Sequence, residues 1–269
     1  MFLESLRFEA LGTGCQLFSV GGRPEELAGA AAWVGVMHSR LTRFDAASEL
    51  SQLNDAAGRW VPVSTELEAL LKESLRAYQV SGGLVHAGVL RALLAAGYAR
   101  PFKEGPSTVL LGVPPPPPLP DMLAVGAGRA RLQEGTGVDL GGIAKGWLAD
   151  RLAERLGANC LVNLGGDLFA RGGGPEGSGW PVGFAGKTLL LKDLGAATSG
   201  TRYRRWGADL HHLIDPRSGL PAVSDLEEVS VLAPTGADAE IFAKTALLLG
   251  REAGDYFLSG RSPGWWLYP

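Results

Sequence analysis

Apolar residues recur along this chain with two periods, and the switches between them outline its elements. Phe8 to Val20 alternates as an extended segment, interrupted by Gly12-Thr13-Gly14. From Glu25 to Leu53 the spacing is mainly helical, with Trp33, Val34, Met37 and Leu41 on one stripe. Thr65 to Val80 predicts a second amphipathic helix, with Ser64 or Thr65 as its N-cap and Gly82-Gly83 as its stop. Val89 to Ala96 is helical in pattern, ahead of Gly97-Tyr98. Leu148, Leu152 and Leu156 mark a helix that Gly157 ends. Short strands are predicted at Cys160–Leu164, Gly183–Ala185, Thr188–Leu191 and Val229–Leu232, with a loop at Gly172-Gly173-Gly174-Pro175. A last helix runs from Ala237 to Leu249, closed by Gly250. Strands and helices mix without regular alternation, so the expected fold class is α+β, as a single domain over residues 1–269. Pro114 to Pro118 must be extended, a stiff connector inside that domain.

The chemistry gathers at one of these switches. Val138-Asp139-Leu140-Gly141-Gly142-Ile143-Ala144-Lys145 puts an acid, a glycine pair and a lysine where an extended run becomes a helix. A helix N-terminus offers free amides and a positive dipole end, and Lys145 adds a mobile charge, so the segment suits a phosphate-bearing ligand. A tight strand-to-helix turn with a solvated lysine accounts for the same residues equally well. Ala197-Thr198-Ser199-Gly200 offers two hydroxyls for a phosphate or ribose, or is a plain turn. Leu210 to Gly219 holds two of the four histidines. Alternation sends His211 and Leu213 to one face and His212 and Ile214 to the other, which weighs against a shared metal. A neutral imidazole there is a natural acceptor for a hydroxyl proton, and a histidine satisfied inside a polar turn accounts for the pattern equally well. Glu240 and Lys244, spaced i,i+4, read as a surface ion pair.

Composition narrows the picture further. Hydrophobic content of 46% with 20% charged residues describes a soluble globular protein, and a net charge of −3 argues against a nucleic-acid partner. Cys15 and Cys160 are too few and too far apart for a disulfide framework or a metal cluster, and each lies in an apolar run. No apolar stretch approaches the ~20 residues of a membrane span. Met1 to Arg7 lacks a basic start followed by an apolar run, and Cys15 has no hydrophobic segment before it that would make it a lipidation site. The expected compartment is the cytoplasm as the chain is written, or outside it if this is a mature form.

In their order along the chain these clusters resemble the ApbE family, the FAD:protein FMN transferases. The matching segments are Leu11-Gly12-Thr13, Ser48 to Asn54, Gly97-Tyr98, Val138 to Asp150, Asn163 to Asp167, Thr198-Ser199-Gly200 and His212 to Gly219. The resemblance implies a mixed α+β fold with a flavin cleft between sheet and helices. It implies FAD as substrate, with Mg²⁺ on the diphosphate. FMN would pass to a threonine hydroxyl of an acceptor protein, with release of AMP. It assigns His212 as the base, supported by Asp215. FAD would be held by Leu11, Gly12, Thr13, Phe44, Val85, His86, Asp139, Gly141, Gly142, Lys145, Thr198, Ser199, Gly200, Leu213 and Ile214, and the Gly142 carbonyl would face the metal.

Departures from the family pattern accompany the matches. Leu11 stands for methionine and Phe44 for tyrosine, and Val85-His86-Ala87-Gly88 replaces Phe-Asp-Pro-Thr. On the late helix the metal positions, aspartate and threonine in the family, fall on Glu240 and Lys244. A protonated lysine cannot ligate a hard cation. The expectation is a weakened or absent Mg²⁺ site, with Lys244 paired to Glu240 or to the diphosphate and Asp238 as fallback ligand. Two other readings stay open: a flavin-binding homologue without transferase activity, and an FAD pyrophosphatase that uses water in place of threonine.

Overall fold

The computed structural model describes residues 2–184, 187–207 and 209–269; Ala185, expected in a strand, lies outside them. Among the described residues seven strands form the main sheet: β1 (Leu3–Ala10), β2 (Thr13–Val20), β3 (Cys160–Leu164), β4 (Asp167–Arg171), β5 (Leu194–Gly200), β6 (Glu228–Ala233) and β7 (Gly264–Tyr268). Each strand pairs antiparallel with the next strand of this sheet, and the longest connection is the one between β2 and β3. The segment expected as one interrupted strand is a hairpin, turning at Leu11 and Gly12, whose φ angles are 54° and 69°. Two left-handed residues give the turn that matches strand twist. Leucine is an unusual choice there, which hides the hairpin from a sequence reading.

Helices α1 (Pro24–Leu41), α2 (Glu49–Asn54), α3 (Thr65–Val80), α4 (Leu90–Ala95), α5 (Leu119–Met122), α6 (Ala144–Leu156), α7 (Gly236–Leu249) and α8 (Arg251–Leu258) complete the described α+β architecture. The helix expected over Glu25–Leu53 is in fact two. Ser48 Oγ donates to Thr42 O and accepts from Ser51 N at 3.0 Å, so the chain leaves α1 at Thr42 and restarts at Ser48. Ser64 caps α3 as expected, accepting from Leu67 N. The hairpin Leu123–Gly126 with Arg129–Leu132, helix α8 and strand β7 went unpredicted.

Alternation along the strands builds two layers of core. Cys15 and Leu17, Val162 and Leu164, and Val229 and Val231 face α1, α6 and α7. Leu161, Leu168, Ala196 and Leu232 face the other way, under the hairpin Trp180–Phe184 with Lys187–Leu191. Both cysteines are buried and free, and burial pushes each thiol up to about 11. No helix of the described residues is long and apolar enough to cross a membrane.

Helices α6 and α7 meet backbone to backbone. A Cβ on Gly146 would be driven into the carbonyl oxygen of Gly236, and backbone on both sides leaves no room to yield. Asp150, one turn along α6, accepts from the amides of Gly236 (2.6 Å) and Ala237 (3.0 Å) and so fixes the start of α7. Gly146→Ala is therefore expected to lower the urea midpoint by an amount equal to about 1–3 kcal/mol. An unchanged midpoint would show that the two helices can separate without cost.

Candidate functional site

Strand register collects the Leu11–Gly12 turn, the Gly165-Gly166 turn and Ser199-Gly200 at one end of the sheet. The segment Val138–Lys145 enters α6 over this end. Asn54 holds it in place, donating to Val138 O (3.0 Å) and accepting from Val138 N (2.8 Å). Asp139 accepts from Gly141 N at 2.9 Å and from the Arg43 guanidinium at 2.6 Å. Arg43, in the break between α1 and α2, is almost fully buried. It also donates to Tyr98 O (2.6 Å) and lies over the rings of Phe44 (4.2 Å) and Tyr98 (4.7 Å). Phe44 is 39% exposed and meets Tyr98, which continues to Trp206 and Phe102. An open aromatic platform thus borders the glycine turn.

The amides expected to form an anion hole are largely satisfied within the chain. Gly141 N goes to Asp139, Ile143 N and Ala144 N to Leu140 O, and Gly146 N to Glu240 Oε2 at 2.9 Å. Positive charge comes from side chains instead. Lys145 is not the mobile point charge the sequence suggests; it pairs with Asp167 and, at 3.3 Å, with Glu240. Burial works against its ammonium, but the two carboxylates outweigh burial and hold the proton more firmly than usual. Burial raises Asp167 to about 6, although Lys145 opposes the shift. For Glu240 burial again disfavours the charge, yet Lys145, Lys244 and the Gly146 amide win and keep it below the ordinary range.

Lys244 completes this cluster. Its ammonium donates to the carbonyl of Gly142 and lies 3.7 Å from Glu240 Oε1. The pair is buried, not the surface ion pair that its spacing suggests. Asp238, the fallback ligand, is engaged by Arg76 at 2.7 Å. Among the described residues no group of three or more His, Cys, Asp or Glu is placed to hold a metal ion. Mg²⁺ requires near-octahedral oxygen donors, and here the expected carbonyl and carboxylate are already bonded to ammonium groups. The residues present do not fit the ion.

His212 has a buried Nδ1 with no hydrogen-bond partner. Burial first, then the charges of Arg204, Lys244 and His211, push its pKa down to about 3. Asp215 does not support it: that carboxylate is spent on Arg217, with contacts of 2.7 to 3.1 Å. Burial opposes the Asp215 charge, but Arg217 overrides it and holds the acid below its usual range.

Several expected FAD contacts lie elsewhere. The buried His86 ring is used at both nitrogens, accepting from Gly88 N (2.9 Å) and reaching Pro117 O (3.0 Å), so it ties the polyproline segment to the core. Val85 and Leu213 belong to the main core, and Ile214 packs with Trp206. Thr198 points across the sheet, bonded to Ser230 Oγ at 2.8 Å, into a cavity of about 370 Å³ also lined by Gln16, Asn163 and Trp180. Thr13 packs against Gly165, whose left-handed φ leaves no room for a side chain beside it. The roles of Arg43 and Asp167 are invisible in the sequence because they depend on partners 96 and 22 residues away, whereas Arg204 acts on nearby His212 but no motif marks it.

The ApbE family profile matches residues 11–265. The chain belongs to the ApbE family. It is similar to the FAD:protein FMN transferase of Treponema pallidum, 32% identical over 248 residues, a match spanning 76% of this chain and 66% of that protein. It is also similar to the FAD:protein FMN transferase of Haemophilus influenzae, 27% identical over 256 residues, spanning 80% of this chain and 70% of that protein. Among solved structures the ApbE protein of Thermotoga maritima has a TM-score of 0.86 at 22% identity, covering 99% of this chain and 94% of that one. The flavinyl transferase ApbE of Pseudomonas stutzeri, in its apo form, has a TM-score of 0.83 at 21% identity, covering 99% and 90%. Both likenesses show the ApbE fold, mixed α+β with antiparallel sheets.

The depressed His212 ties the stability of the fold to pH. Its folded pKa lies below its unfolded value, so the unfolded chain takes up the proton first. The stabilisation from keeping this ring neutral is complete above 6.5 and is lost as pH falls toward about 3. Relative to His212→Gln, the wild type should lose stability over that window, as read by urea melts at stepped pH. A constant difference would mean that the ring is solvated.

Proposed function

We propose that this protein transfers FMN from FAD to a threonine hydroxyl of an acceptor protein, releasing AMP. The observation that carries the reading is His212: a neutral imidazole with an unpartnered Nδ1, within the field of Arg204 and Lys244. The named activity of the two relatives supports the same reaction class. In the step, the threonine Oγ bonds to the FMN phosphorus, the anhydride bond to the AMP phosphate breaks, and the threonine proton passes to His212. A base with a pKa near 3 is weak for this task. An anionic diphosphate lying against Arg204 and Lys244 would cancel the charges that depress it, so substrate binding itself would restore the basicity of His212. The other contributions are positional and electrostatic, as suits phosphoryl transfer. The Gly141-Gly142 turn, held by Asp139 and Arg43, gives the diphosphate a fixed approach. The exposed ring of Phe44, with Tyr98 behind it, offers a stacking surface for the isoalloxazine.

The test is incubation with FAD and a threonine-bearing acceptor, following AMP release and in-gel flavin fluorescence of the acceptor. Both signals should appear together. His212→Gln is expected to slow transfer by about 100-fold or more while FAD still binds. AMP without labelled acceptor would point to hydrolysis by water, and full transfer by His212→Gln would remove the base assigned here.

A further inference from the structure

The Lys244 side chain occupies the space above Gly142. A Cβ built on Gly142 would lie 2.7 Å from Nζ, 3.4 Å from Cε and 3.8 Å from Cδ of Lys244, so the end of the lysine fills the space a side chain at 142 would take. The ammonium donates to Gly142 O and faces Glu240 Oε1 at 3.7 Å. Lys145, Lys244, Asp167 and Glu240 then form a mostly buried group with two positive and two negative charges. A divalent ion added here would leave two uncompensated charges in a poorly solvated setting, and it would have to displace the ammonium from its carbonyl.

We propose that Lys244 is a built-in cation: its ammonium takes the place of a divalent metal between the Gly142 carbonyl, Glu240 and the FAD diphosphate, so this chain binds its substrate without metal. The inference rests on the flavin-transfer reading for the identity of the ligand, while the absence of a metal requirement rests on the cluster itself. An ammonium supplies one charge and three donors, in any orientation the phosphate oxygens require. It does so without the strict octahedral geometry that Mg²⁺ imposes.

Two measurements on the purified full chain decide the matter. The first is FAD titration by flavin fluorescence, in excess Mg²⁺ and in EDTA. The second is the electron paramagnetic resonance signal of free Mn²⁺ with protein added. For the wild type, the FAD Kd should agree within about twofold between the two buffers, and the Mn²⁺ signal should be unchanged. Lys244→Met should weaken FAD about tenfold or more in both buffers, the loss of one charge-assisted contact. Lys244→Thr should show the same loss in EDTA, regain affinity with Mg²⁺, and take up about one equivalent of Mn²⁺.

Uptake of Mn²⁺ by the wild type, or FAD binding that needs Mg²⁺, overturns the inference even if AMP release and acceptor labelling proceed normally. Metal-free binding of FAD with no transfer leaves the inference standing and removes the transferase reading. No FAD binding in either buffer overturns both. Because the wild type alone decides these outcomes, a variant that fails to fold does not blunt the test.

Discussion

Two helices that touch through glycine backbones determine where every charge in this site can sit. Gly146 on α6 and Gly236 on α7 approach so closely that neither tolerates a Cβ. This contact brings Glu240, a little over one turn into α7, onto the free amide of Gly146. From that position one carboxylate meets both Lys145 and Lys244, and Asp167 on β4 meets Lys145 from the sheet side. Separating the helices by the width of a methyl group would pull Glu240 from Lys145 and the Gly146 amide, and Lys244 from the Gly142 carbonyl. In a buried setting, removing one member of such a set costs about 3–5 kcal/mol. The packing and the electrostatics are one constraint.

Neutrality within the cluster has a second effect. Lys145 and Lys244 are largely compensated by Asp167 and Glu240, so the field that reaches outward is weaker than two lysines would suggest. Arg43 is similarly absorbed by Asp139. These paired groups therefore form a nearly neutral, well-fixed wall beside the Phe44 and Tyr98 rings. Preorganised groups of this kind need little rearrangement when an anion arrives, which is worth more than raw charge. Across the sheet the cavity beside Thr198 shares none of this network.

Much of the scaffold was legible because it depends on neighbours in sequence. The Leu148, Leu152 and Leu156 spacing, the Ser64 cap and the Gly250 stop are local signals, and each marks a real helix boundary or face. The break between α1 and α2 was hidden because Leu50 and Leu53 continue the apolar pattern beyond it. The state of Lys145 was illegible for a different reason: its partners lie 22 and 95 residues away. Nothing near Lys145 in the sequence distinguishes a solvated lysine from a paired one. The same holds for Arg43 and Asp139, 96 residues apart, and for His86, whose acceptor is a proline carbonyl in a segment that reads only as a stiff connector. Asp215 misled in the opposite sense: it lies three residues from His212 in sequence, but its nearer neighbour Arg217 claims it.

The order of the sheet bears on how the chain reaches its native state. From β3 to β7 the sheet follows chain order, with a hairpin between β4 and β5 and helices α7 and α8 between β6 and β7, and the β1–β2 hairpin closes on a two-residue turn. The join between these blocks is Cys15 against Leu164, across the whole inserted helical region. Local hairpins form in microseconds, whereas a pairing of such sequence separation must wait for a long loop to close. The two halves of the sheet should therefore mature separately, with the strand edges of β2 and β3 unpaired until the inserted helices condense between them. Unpaired edges recruit other chains. The vulnerable moment in the life of this protein is the interval before that seam is sealed.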